Sequence, residues 1–128
     1  MSWNLDSLKD CLRRDEWEIA EEGDCLRITN EDGLDAYLAV SGEQIVVESV
    51  LFSREDVKDE AGLNEKILRT HQIFPLTTIA ISTINGEDYY IAFGALFSES
   101  KPESIVTEVE SLFGNIPAFL EAYEEHLI

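Results

Sequence analysis

Basic residues are scarce in this chain. Nine lysines and arginines stand against 27 aspartates and glutamates, a formal net charge of −18 at pH 7. Nucleic-acid affinity rests largely on cations that neutralise phosphates, so this balance argues against DNA or RNA as a ligand, and against anionic membrane surfaces for the same reason. Positively charged proteins are the partners it favours. Cysteine is nearly absent, and Cys11 and Cys25 are too few for a disulfide framework. Histidine is equally sparse. His71 and His126 form no closely spaced ligand pair with each other or with the cysteines, as a zinc site would need. No apolar run approaches the roughly 20 residues that span a bilayer. The opening Met-Ser-Trp-Asn-Leu-Asp has neither the basic nor the apolar region of a signal peptide. A cytoplasmic protein without membrane insertion is the expectation.

Signatures of catalysis are missing too. There is no Gly-x-Ser-x-Gly elbow, and the glycines Gly33, Gly42, Gly62, Gly86, Gly94 and Gly114 are isolated, so no loop cradles a phosphate. Carboxylates are so abundant that no pair stands out for acid–base work. Asn30 to Asp35 has the composition of a calcium loop but lacks the EF-hand spacing and its terminal Glu. The sequence therefore predicts no catalytic residue, no cofactor, no metal and no enzyme.

What is present is apolar. Hydrophobic residues make up 45% of the chain, far more than an acidic disordered tail carries, so residues 1–128 read as one folded acidic domain. Asn4 is a good N-cap for a first helix whose Leu5, Leu8 and Leu12 form one stripe, with Arg13 and Arg14 at its C-terminal end. Short alternating strands follow around Trp17–Ile19, Leu26–Ile28 and Ala36–Val40, separated by the turns Glu22-Gly23-Asp24, Asn30 to Gly33 and Ser41-Gly42-Glu43. Gln44 to Phe52 is apolar on nearly both faces, which predicts a central strand. Ser53 to Asp56 resembles a capping box, so a second helix should follow at once, interrupted near Gly62, with Leu63, Ile67, Leu68 and His71 on one side and Pro75 ending it. His126 falls in a fraying tail.

Asn85-Gly86 between two β-rich runs is the preferred type I′ hairpin turn. Pairing like with like gives the hairpin two faces, one of Ile79, Ile81, Tyr89, Ile91 and Phe93, the other of the small residues Ala80, Ser82, Ala92 and Gly94. The small face is either packed by a helix of the same chain or left as a groove for a partner helix or half of a dimer interface. Trp3 and Trp17 are core-edge residues or, alternatively, aromatic anchors of an interface. Ser100 to Glu103 opens a last helix with a buried stripe of Ile105, Val109, Leu112 and Ile116, which Gly114 to Pro117 should break or kink.

The run Ile84 to Leu96, the preceding Phe74-Pro75-Leu76 and the acidic C-terminal helix resemble the YjfI-type family of uncharacterised bacterial proteins, over nearly the whole chain. That resemblance implies no established activity. Genes of the family tend to lie beside those for relatives of phage-shock protein A, a coiled-coil stress protein, and this implies such a protein as a partner. More distantly, the element order is similar to type III secretion chaperones and YbjN-like proteins, which implies a small acidic cytoplasmic chain, often dimeric, that binds other proteins without chemistry.

The expected fold is therefore α+β, an antiparallel sheet in the order α-β-β-β-β-α-β-β-α with the first and third helices on one face. The expected function is a chaperone-like or regulatory interaction module that takes a partner's basic or amphipathic segment on an apolar patch with an acidic rim. The alternative is an acidic decoy that occupies nucleic-acid-binding proteins. Trp3, Trp17, Ala80, Ser82, Ala92 and Gly94 are the candidate partner-binding residues, and a homodimer is a further possibility.

Overall fold

The computed structural model describes residues 3–74 and 76–128. Its elements are α1 (Leu5–Leu12), β1 (Glu18–Glu22), β2 (Cys25–Thr29), β3 (Asp35–Ser41), β4 (Gln44–Ser53), α2 (Glu60–Thr70), β5 (Thr78–Ile84), β6 (Glu87–Phe97) and α3 (Pro102–Tyr123). The strands form one antiparallel sheet of six in the order β1-β2-β3-β4-β6-β5. The α+β order expected from the sequence is the order found, and β4 is central, as its apolar faces require.

Asn4 caps α1 through a reciprocal box with Ser7, whose backbone N–H donates to Asn4 Oδ1 at 2.9 Å. The cap aims Leu8 and Leu12 at the sheet, where both are fully buried. They meet Leu26 and Ile28 of β2, Leu38 of β3 and Ile45 and Val47 of β4 in one core that α3 completes with Ile105, Val109, Leu112, Ile116, Phe119 and Tyr123. α2 docks beside them through Leu63 and Ile67. Tyr90 Oη, from β6, donates to Asn64 Oδ1 at 2.6 Å, and the Thr70 and Tyr123 hydroxyls lie 2.8 Å apart. α1 and α3 thus share one face of the sheet.

Several expectations are corrected. The second helix does not start at Ser53. Arg54–Asp56 is only a 3₁₀ turn, and α2 begins at Glu60, capped by Asp59, which accepts from Gly62 N at 3.2 Å. The reason is the C-terminal segment. Val57 bridges Leu127, Lys58 N donates to the His126 carbonyl at 2.9 Å, and Ile128 N donates to the Asp56 carbonyl at 2.8 Å. Backbone engaged this way is extended and unavailable to a helix, and His126 belongs to a docked segment, not a fraying one. Gly62 lies in the first turn of α2 without interrupting it. Leu68 is 75% exposed, because five residues after Leu63 the helix has turned it away from the core. Pro75, expected to end α2, lies outside the described residues.

The third helix is capped at Lys101, one residue after the expected Ser100, and runs unbroken through Gly114 and Pro117. Pro117 has no N–H to give the Phe113 carbonyl, and an interior proline costs about 3 kcal/mol. Burial of a large apolar side chain contributes roughly 1.5–3 kcal/mol. Phe113, Ile116, Phe119 and Tyr123 flank Pro117 and are all buried, so packing outweighs the lost bond.

The hairpin faces are also corrected. A two-residue turn makes Ile84 and Glu87 partners, so Ile79 faces Ala92 and Ile81 faces Tyr90, while Ala80 faces Ile91 and Ser82 faces Tyr89. Cross-strand partners share a face. The small residues therefore split. Ala92 and Gly94 lie under the helices, Ala80 and Ser82 on the opposite side, and no face of small residues forms.

Candidate interaction surface

The same register defines the sheet face that carries none of the helix-packed core. Across it run Cys25 and Arg27 of β2, Tyr37 and Ala39 of β3, Val46, Glu48 and Val50 of β4, Ile91, Phe93 and Phe97 of β6, and Ala80 and Ile84 of β5. Val50 is 45% exposed and Phe97 57%. Ile91 is only 5% exposed although no helix packs on it, so neighbouring side chains of the sheet itself close around it. A hollow of about 590 Å³ results, lined from Cys25 on β2 to Ile84 on β5 by Tyr37, Ala39, Val46, Val50 and Ile91, with Glu48 among them. A β-bulge at Val50/Phe52 contributes. Beyond it Phe52 pairs with Tyr90 and turns into the core, their rings 5.2 Å apart, while Val50 stays on the uncovered side.

The chemistry of this face is quiet. Burial, reinforced by the nearby Glu22, Asp24 and Glu48 carboxylates, pushes the Cys25 thiol up, away from the thiolate a nucleophile needs. Its Sγ donates to the Glu22 carbonyl at 3.1 Å. Burial raises Tyr37 likewise, with Asp35 adding to it. Arg27 Nε lies 3.1 Å from Glu22 Oε1, an ion pair at the β1–β2 end. Among the described residues no group of three His, Cys, Asp or Glu is arranged to hold a metal ion.

Other hollows are less suited to a partner. One of about 830 Å³ beside α2 and α3 is edged by Lys66, Glu121, Glu124 and Glu125, and the Lys66–Glu125 pair, at 2.6 Å, stands at its edge. One of about 640 Å³ lies between α1 and α3 under Trp3, whose Nε1 donates to the Ser100 carbonyl at 2.8 Å. Trp17 packs on Phe113 with ring centroids 5.9 Å apart and carries the Arg14 guanidinium 4.3 Å above its own ring.

The expected site residues are thus not brought together. Trp3 and Trp17 are half-buried against the core edge on the helical side. Ala92 is fully buried and Gly94 buried, both out of a partner's reach. Only Ala80 and Ser82 sit on the uncovered face. The residues that form its centre, Tyr37, Val46, Glu48, Val50, Ile91 and Phe93, had two signals in the sequence. One was the apolar outer face of β4. The other was the pairing rule of a two-residue turn, which sets odd positions of β5 opposite even positions of β6.

Residues 2–127 match the family described as "Uncharacterized protein conserved in bacteria (DUF2170)", and the chain belongs to that family. YjfI proteins of Escherichia coli strain K12 and of Escherichia coli O157:H7 are each 28% identical over 131 residues, 98% of this chain and 98% of theirs. Among solved structures, YbjN from E. coli has a TM-score of 0.75 at 17% identity, covering 97% of this chain and 94% of YbjN. A chain of the HopA1–SchA chaperone–effector complex has a TM-score of 0.64 at 12% identity, covering 91% of this chain and 90% of its own length. These likenesses establish the fold.

Proposed function

We propose that this family member is a non-enzymatic interaction module that takes a segment of another protein onto the uncovered face of its sheet. The apolar face itself carries the reading. It offers valine, isoleucine, tyrosine and phenylalanine side chains around a hollow, and burial of such groups supplies most of the free energy of association. The shape likeness to a chain from a chaperone–effector complex supports a binding role. A cytoplasmic setting belongs to this reading. The candidate partner is a phage-shock-protein-A-like coiled coil, suggested by the sequence resemblance.

Titration calorimetry with that purified coiled coil, at low and high salt, tests the reading. Binding should weaken modestly with salt and survive it, and Val50→Glu should weaken it at least tenfold. No heat at tens of micromolar removes this partner, and full-strength binding by Val50→Glu removes this face. The surplus of acids favours one rival reading, the decoy that binds basic proteins by charge alone. Complete loss of binding at high salt is its mark. A mass that doubles with concentration would point to a homodimer.

A further inference from the structure

Glu48 lies at the middle of the uncovered face. It is opposite Tyr37 on one side and Phe93 on the other, in a row that continues to Arg27. Directly opposed side chains on neighbouring strands have Cβ atoms about 4.5–5.5 Å apart, so the Glu48 side chain is flanked by those of Tyr37 and Phe93. Glu48 is half-buried and makes no hydrogen bond or ion pair among the described residues. Arg27, the basic group on the same row, is drawn off to Glu22 at the sheet end.

We propose that Glu48, with Tyr37 and Phe93, reads a single cationic side chain at the centre of the apolar stripe of a bound amphipathic helix. The inference rests on the docking reading above and names the chemistry of the partner. A helix is the element that covers an open sheet face, as α3 does on the other side. Any occupant that fills the hollow removes Glu48 from water, and a buried carboxylate without a cation is strongly unfavourable. A purely apolar stripe leaves it unpaired and an acidic one repels it. A second copy brings another Glu48 and another net charge of −18 to the same face. A lysine or arginine supplies both the opposite charge and the hydrogen bonds it needs, and the ring faces of Tyr37 and Phe93 attract the same cation. Arginine fits better than lysine, because its planar guanidinium stacks on rings and meets a carboxylate with two N–H donors.

Three synthetic helices of alanine, leucine and glutamine, identical except for arginine, leucine or glutamate in the middle of the leucine stripe, provide the test. Wild-type protein should bind the arginine helix at least tenfold more tightly than the glutamate helix. Glu48→Gln should bring the two within about twofold on the scale of a lost charge pair while leaving the leucine helix bound. Glu48→Arg should reverse the order. Glu121→Gln removes the same charge from exposed α3 surface and should leave the preference intact. A preference that survives Glu48→Gln, or that Glu121→Gln erases equally, overturns the assignment and leaves docking standing. If none of the three helices binds wild-type protein, the docking reading fails first. If wild-type protein sediments as a dimer that tightens in Glu48→Gln, a second copy occupies the face and the proposal is wrong.

Discussion

At the scale of single residues, the most telling contact is one that opposes stability. Glu108 of α3 is only 5% exposed, and its Oε2 finds no hydrogen-bond partner among the described residues. It lies against Gly94, 2.6 Å from where a Cβ on that glycine would sit. Gly94 is therefore small because a carboxyl group fills the space. Burial pushes the Glu108 pKa above its ordinary 4.5. A carboxyl group with a raised folded-state pKa binds its proton more tightly in the native state. Stability is then highest below the unfolded value and falls as pH rises from about 4.5 toward the folded pKa. Glu108→Gln should accordingly stabilise the protein at pH 7, by about 1 kcal/mol on the scale of a buried unsatisfied group, and the gain should vanish at pH 4. Urea denaturation of both proteins at the two pH values measures it, and an equal gain at both would mean that charge is not the cause. Gly94→Ala should cost about 1–3 kcal/mol by overpacking, and distinctly less in a Glu108→Ala background, where the obstructing carboxyl is gone. Additive costs in that double-mutant cycle would place the strain elsewhere. None of this was visible in the sequence, where Gly94 looks like one small strand residue among four and Glu108 like one more solvated acid.

At the scale of elements, what was legible is what local chemistry decides. The Asn4 cap, the strand alternation and the hairpin turn depend on neighbours in the chain, and each is found where its residues stand. Asn85 has φ 52° and Gly86 φ 82°, the left-handed pair a type I′ turn requires. Gly86→Val should destabilise by about 1 kcal/mol or more, since a β-branched residue is strained there. An unchanged denaturant midpoint would count against the turn's contribution. What misled is what distant residues decide. The chain stays out of a helix after Asp56 because residues 126–128 bond to residues 56–58 from the other end of the chain. α3 passes Pro117 because the sheet and α2 supply apolar surface on which to continue. The candidate surface was missed by a smaller error of the same kind. The two strands of the hairpin are legible in the sequence, but their faces depend on register, and one step of register exchanges buried for exposed side chains throughout.

At the scale of the whole molecule, charge is the dominant fact. Arg13, Arg14, Arg27, Arg54, Lys66 and Arg69 all hold acidic partners. Arg54 holds two, Glu60 at the start of α2 and Asp88 on β6, so it ties the helix entry to the hairpin. The side chains in these pairs are mostly well exposed, and exposed pairs contribute at most about 1 kcal/mol each. With nine cations for 27 acids, there is one cation for every three carboxylates. Their mutual repulsion is spread over a small surface and disfavours the compact state. Added salt shortens the Debye length from roughly 30 Å at 0.01 M to about 8 Å at physiological strength, which screens long-range repulsion before it weakens pairs in contact. The melting temperature at pH 7 should therefore climb as sodium chloride is raised from low ionic strength to about 0.15 M and then level off, because charges farther apart than about 8 Å are by then screened. A flat or falling series would show that the local pairs, Arg54 with Glu60 and Asp88 foremost, outweigh the surplus. Fixing the residual charge this way also bears on binding, since the same salt range separates an apolar docking surface, which keeps its partner, from a decoy, which loses it.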